Sequence, residues 1–191
     1  MSPALPLSAI TYLWIGLAVL WLITGLRLKQ VQEWQSPLPR TLHMLSMALA
    51  FALVFYYTPL LGWLNMRIVP HNLTTAWIGF AVTFAGIALA VWARLILGGN
   101  WSGSITLKEN HALVRTGPYR WVRHPIYGGL ILAMLGTATA IGEIRGFCGA
   151  AVMLIAFLIK ARSEDNLMHR TFGAEHDAYR RTTGVLLPRL R

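Results

Sequence analysis

Apolar residues fall into five runs, separated by shorter stretches rich in glycine, proline and arginine. The runs lie near Leu7–Leu26, Leu42–Leu61, Leu73–Leu97, Ile126–Ile141 and Phe147–Ile159. An α-helix needs roughly 20 apolar residues to cross the hydrocarbon core of a bilayer. The first three runs reach that length and the last two are short. Only Gly142–Gly146 separates the last two, which predicts a tight helical hairpin. Pro125 suits a first helical turn, where its missing N–H costs nothing. No basic residue precedes the first run and its apolar core is long, so it reads as a retained span rather than a cleavable leader. The pattern predicts an all-α integral membrane protein with about five transmembrane helices. Beyond Ile159 the chain turns amphipathic. A helix is expected to continue through Glu164, Asp165, Leu167, Met168 and Phe172 until Gly173 interrupts it. A second amphipathic piece, near Glu175–Arg181, is expected on the membrane surface, with Pro188 ending it.

Composition agrees with that class. Of 191 residues, 55% are hydrophobic and 13% charged, and the mean hydropathy is +0.52. These values exclude an ordinary soluble domain and suit a single membrane domain, residues 1–191. The single cysteine, Cys148, excludes a disulfide framework or a Cys-rich metal site and reads as a small hydrophobe. No grouping of His, Cys and carboxylates has metal-ligand spacing, so no metal is expected. His43 and His71 flank spans and read as interfacial. Trp14, Trp21, Trp63 and Trp77 read mostly as belt or lipid-facing residues.

Charge predicts the orientation. The first loop, the third loop and the C-terminal tail carry 14 of the 17 Lys and Arg residues. The other side carries Arg67 and Arg145, and Arg94 lies inside the third span. The positive-inside rule puts the N-terminus outside and the C-terminus in the cytoplasm. Anionic lipid headgroups account for the net charge of +10. No recognition motif accompanies it, so nucleic acid is not expected as a partner.

One loop is chemically richer than the rest. Arg115 to Gly129 is basic and punctuated by Gly and Pro, and lipid tolerates such backbone only where protein or water satisfies it. The hairpin brings its end, His124–Tyr127, beside Lys160–Asn166. Arg123 and Arg162 offer planar forks for a carboxylate or phosphate. His124, Tyr119 and Tyr127 offer stacking and hydrogen bonds. Glu164, Asp165 and Asn166 offer acceptors for ribose hydroxyls or an ammonium. Arg94 either lines this pocket or snorkels. The residues alone fit a molecule with an adenine, a ribose, an amino acid and a positive centre, together with an anionic or amphipathic second substrate.

In order along the chain come Leu97-Gly98-Gly99-Asn100-Trp101-Ser102, His111-Ala112-Leu113-Val114, Gly117-Pro118-Tyr119 and Val122-Arg123-His124-Pro125-Ile126-Tyr127-Gly128. The tail adds Glu164-Asp165, Phe172-Gly173, Tyr179 and Pro188. This combination resembles the isoprenylcysteine carboxyl methyltransferase family, within the small membrane methyltransferases that include phospholipid N-methyltransferases. It covers residues 94–188, the expected catalytic region, and leaves the spans of residues 1–72 less specific. The resemblance implies S-adenosyl-L-methionine as methyl donor, held on the cytoplasmic side between the third loop and the tail helix. It implies His111, Leu113, Val114, Gly117, Tyr119, His124, Tyr127, Gly128 and Glu164 as donor-binding residues. It implies Arg123 and Arg162 as the residues that orient a lipophilic or lipidated acceptor. Two departures stand out: Asp165 where the family often has a second glutamate, and His176 where it often has an aromatic residue.

The implied reaction is an in-line displacement at a sulfonium methyl group. A carboxylate acceptor is already anionic and needs no general base, whereas an amine or thiol must lose a proton, with His124 as the nearest base. Carboxyl methylation of an isoprenylcysteine-type substrate is the reading favoured by the resemblance. Methylation of a phospholipid, amine or thiol, an NADPH-dependent membrane reductase, and a non-catalytic membrane subunit are the alternatives. The oligomeric state and the acceptor are not readable from the sequence.

Overall fold

A computed structural model describes residues 4–25, 31–33, 37–98, 107–108 and 113–189. Its helices are α1 (Ala4–Gly25), α2 (Pro37–Phe55), α3 (Leu73–Leu97), α4 (Pro125–Ile141), α5 (Ile144–Phe172) and α6 (Ala174–Thr182). Short 3₁₀ turns cover Pro59–Asn65 and Gly117–Arg120. Two short strands, β1 (Val31–Glu33) and β2 (Leu107–Lys108), pair antiparallel and tie the first loop to the third. Helices α1, α2, α3 and α5 are long and apolar enough to cross a membrane, and α4, with 17 residues, is shorter. The chain is thus a multi-pass, helical membrane protein.

Several boundaries differ from the sequence reading, for local reasons. Helix α2 stops at Phe55 although apolar residues continue to Leu61, because Pro59 and Gly62 belong to the 3₁₀ turn, where Gly62 takes φ 49°. Helix α3 matches its apolar run and begins on a capping box between Asn72 and Thr75. Gly142, at φ 78°, closes α4, and α5 starts two residues later, so the hairpin loop is tighter than expected. Helix α5 then runs 29 residues without a break, from the apolar segment into the polar tail.

Helices α3 and α4 meet along a seam of small residues, the usual device for close approach where lipid supplies no hydrophobic drive between helices. A Cβ on Gly129 would sit 2.6 Å from the Gly86 carbonyl oxygen and 2.7 Å from the Ala90 amide. Thr83 donates to the Gly79 carbonyl at 2.8 Å and lies 3.2 Å from the Thr137 hydroxyl. Trp14 of α1 donates its indole N–H to Thr137 at 3.0 Å and meets Phe51 edge-on at 5.1 Å. Trp14 is therefore a core residue, in contrast to exposed Trp63 and Trp77. Gly129→Ala should cost about 1–3 kcal/mol, since only backbone atoms could yield. Gly16, with open space around its Cβ position, should tolerate alanine without loss. Melting temperatures of the two variants in detergent check this, and equal values would show that the seam is not tight.

The bundle has two chemically distinct ends. At one, Glu143 accepts from Arg145 Nε at 2.6 Å and from Arg67 at 3.3 Å, while Arg145 also donates to the Leu53 and Val54 carbonyls at the end of α2. Both arginines assigned to the outer side are thus bound to structure. At the other end, Arg94 is buried and donates to the carbonyls of Thr24 and Gly98, so it braces α1 against α3 rather than snorkelling. That end also holds the third loop, the C-terminal half of α5, and α6.

Candidate active site

The site grows from the start of α4. His124 is the residue before the helix, and Pro125 opens it. The chain after α6 returns along this start: Arg123 and His124 amides donate to the Gly184 and Val185 carbonyls at 2.9 and 3.0 Å. Gly128 permits the contact, because a Cβ there would lie 2.9 Å from the Leu186 carbonyl oxygen. Gly117, at φ 56°, turns the third loop onto Ile96. Tyr119 is buried, and its carbonyl accepts the Tyr179 hydroxyl at 2.6 Å. Burial pushes the Tyr119 phenol above its ordinary pKa, so it stays neutral. Val114 packs on the core.

A layered stack forms the floor. The His124 and Tyr127 rings lie parallel at 5.3 Å, and Tyr127 stacks on Phe157 of α5 at 4.5 Å. Lys160 Nζ sits 5.5 Å from the Tyr127 ring centre and 4.0 Å from Glu164. Glu164 accepts the Tyr127 hydroxyl at 2.7 Å, and its other oxygen lies 3.4 Å from His124 Nδ1. His124 Nε2 lies 3.1 Å from Asp165. Burial opposes charge on His124, but the two carboxylates outweigh it, and its pKa stands above the ordinary value. Carboxylates thus engage both ring nitrogens.

Arg123 makes a separate set of contacts. Its Nε and Nη2 fork onto Asp165 at 3.1–3.2 Å, and Nη1 donates to the Thr183 carbonyl at 2.8 Å. The guanidinium is occupied by Asp165 and the tail. Arg162 is exposed. It stands two residues from Glu164, about 200° around the helix, so it diverges from the cluster. His111 lies outside the described residues, as does the stretch Gly99–Ser102. Helix α6 turns one face inward: His176 and Tyr179 are buried, and His176 Nε2 lies 3.7 Å from Asp165. Helix α6 ends at Thr182, before Pro188. Arg115 pairs with Glu175 at 2.6 Å across the rim, where both are exposed and the pair contributes little. A cleft of about 370 Å³ lined by Arg120, Trp121, Thr182, Pro188 and Arg189 lies beside this cluster and contains none of the expected site residues.

Three residues outside the expected donor-binding and acceptor-orienting sets belong to the cluster. Asp165 is its hub, holding Arg123 and His124 together. Lys160 is buried. His43 of α2, read as interfacial, stands 5.5 Å from Phe157 and within electrostatic reach of Lys160 and Glu164. The absence of a metal-ligand grouping is likewise corrected: His169, His176 and Asp177 bring donor atoms within 4.8 Å of one another.

Residues 77–170 match the isoprenylcysteine carboxyl methyltransferase (ICMT) family. The chain belongs to that family. Human protein-S-isoprenylcysteine O-methyltransferase is 26% identical over 163 residues, covering 78% of this chain and 56% of the human one. The nickel-cobalt-cadmium resistance protein NccN of Alcaligenes xylosoxydans xylosoxydans is 30% identical over 132 residues, covering 67% of this chain and 55% of that protein. The chain thus spans about half the length of these curated relatives. The structure of the eukaryotic intramembrane Ras methyltransferase ICMT superposes with a TM-score of 0.52 at 24% identity, covering 81% of this chain and 53% of that one. The fold of the family is therefore present here.

Proposed function

We propose that the chain transfers a methyl group from S-adenosylmethionine to a lipophilic carboxylate carried in the membrane, of the isoprenylcysteine type. The donor is held at the basic end of the bundle, which the positive-inside rule assigns to the cytoplasm. The residues present suit such a donor. Glu164 keeps acceptor capacity beside an aromatic stack, which fits hydroxyl, ammonium or sulfonium groups. Tyr127, Glu164 and His124 hold it, with Leu113, Val114, Gly117, Tyr119 and Gly128 shaping the wall. When bound, the donor supplies an electrophilic methyl group.

The observation that carries the choice of acceptor is the state of His124. Both ring nitrogens face carboxylates, at 3.1 and 3.4 Å, so neither is left free to serve an acceptor. The ring cannot also strip a proton from an amine or thiol. A carboxylate nucleophile needs no such base. The chain's own residues then exclude water, fix the acceptor's approach and balance its charge. Lys160, buried at the edge of the stack and 4.0 Å from Glu164, is the candidate counter-charge. Arg123 acts through Asp165 as a positioning residue, locking the tail over the site.

Titration calorimetry on the purified protein in detergent tests the donor. S-adenosylmethionine should bind at one site per chain and NADPH should not. Binding of NADPH alone would transfer the chain to the reductase reading, and binding of neither would leave a non-catalytic subunit.

A further inference from the structure

The elbow between α5 and α6 gathers a second set of donors, linked to His124 through Asp165 Oδ1. His169 lies in the last turn of α5, and Gly173, at φ 48°, turns the chain so that His176 and Asp177 of the first turn of α6 come back over it. One donor atom from each of His169, His176 and Asp177 lies within 4.8 Å of the other two. His169 Nδ1 and Asp177 Oδ1 are 3.0 Å apart. His176 is 1% exposed, and its Nδ1 has no hydrogen-bond partner among the described residues. A buried ring nitrogen left without a partner is costly, and native structures rarely keep one without a reason.

A surface ion pair between His169 and Asp177 explains their contact but leaves His176 Nδ1 unaccounted for. We propose that His169, His176 and Asp177 form a binding site for a divalent transition-metal ion of the zinc, cobalt or nickel class. Two imidazoles and one carboxylate are the donors those ions favour, whereas calcium and magnesium take oxygen sets and copper(I) takes thiolates. Three protein ligands leave a further position for water or a small ligand. The arrangement behind His176 also fits. A metal-bound histidine commonly donates its other N–H to a carboxylate, which fixes the ring and raises its basicity. Asp165 Oδ1 stands in that place, 3.7 Å from His176 Nε2. Arg123 and Arg180 lie within electrostatic reach of His176 and oppose a dication, and Asp165 and Asp177 offset them.

An ion here clamps α6 to α5. Asp165 joins this site to Arg123 and His124, so the clamp also stiffens one wall of the cluster at the start of α4. The site does not depend on the methyl-donor reading, and its test uses no donor.

The experiment is a cobalt(II) titration of the full chain in detergent, free of any affinity tag and treated first with a chelator. The visible absorption of bound cobalt is followed, with zinc sulfate as competitor. The parent should bind one cobalt per chain, displaced by zinc. Removing a group that merely orients a ligand costs roughly 10–100-fold in affinity, and removing a ligand should cost at least as much. His169→Ala and Asp177→Asn change partly exposed residues, so folding should survive and cobalt affinity should fall at least about tenfold. His71→Ala, an exposed histidine between α2 and α3, should leave it unchanged. Zinc should raise the melting temperature of the parent, by mass action on the folded state, and not that of His169→Ala. No cobalt spectrum in the parent would overturn the site, as would equal affinity in His169→Ala and Asp177→Asn.

Discussion

Asp165→Ala should destabilise the protein by about 3–5 kcal/mol, the usual result of removing one partner from a buried ion pair. Asp165 and Arg123 side chains are 12% and 8% exposed, so water cannot replace the lost carboxylate. Among the described residues the guanidinium is left with the backbone and hydroxyl acceptors of Thr183 and the Arg180 carbonyl. His124 loses its 3.1 Å partner as well. Because the C-terminal segment is pinned through Arg123, the tail over the start of α4 should loosen with it. For a chain of this size the loss corresponds to a melting-temperature drop of about 6–20 °C. Replacing both partners together, Arg123→Met with Asp165→Leu, should recover part of the drop, since an apolar pair carries no stranded charge. A single variant that melts with the parent would show the pair to be solvated and the tail to be held by other contacts.

Glu164→Gln should act on the ligand rather than on the fold. The amide oxygen can still accept the Tyr127 hydroxyl, bonded at 2.7 Å to the carboxylate. What the amide loses is charge and one acceptor. Each lost charge-assisted hydrogen bond is worth roughly 1.5–3 kcal/mol, or about one to two decades in affinity for S-adenosylmethionine. Calorimetry on the variant beside the parent reads this directly. Unchanged affinity in a folded variant would make Glu164 a structural partner of Tyr127, and the donor site would have to lie elsewhere.

The pairing of these groups was foreseeable in outline. Two short apolar runs joined by Gly142–Gly146 imply a hairpin, and a hairpin puts His124 beside Glu164. Helix phase already separates Arg162 from Glu164, since residues 162 and 164 cannot share a face. The choice of Asp165 by Arg123 was not legible, because Glu164 and Asp165 are adjacent and the sequence does not say which carboxylate faces which cation. The inward turn of His176 depends on the sharp bend at Gly173. The approach of His43 depends on how α2 packs against α5, which apolarity alone leaves open. Apolar content likewise misplaced the end of α2, where Pro59 and Gly62, not polarity, end the helix.

The most direct measurement is transfer of labelled methyl from S-adenosylmethionine by the purified chain to a mixture of an N-acetylated, S-prenylated cysteine, a long-chain amine and a long-chain thiol, followed by mild alkali. A methyl ester releases its label as volatile methanol, whereas a methylated amine or thioether keeps it. The account predicts transfer that is base-labile and that falls in Glu164→Gln at limiting donor. Base-stable label, or no transfer by a protein that binds the donor, would contradict it.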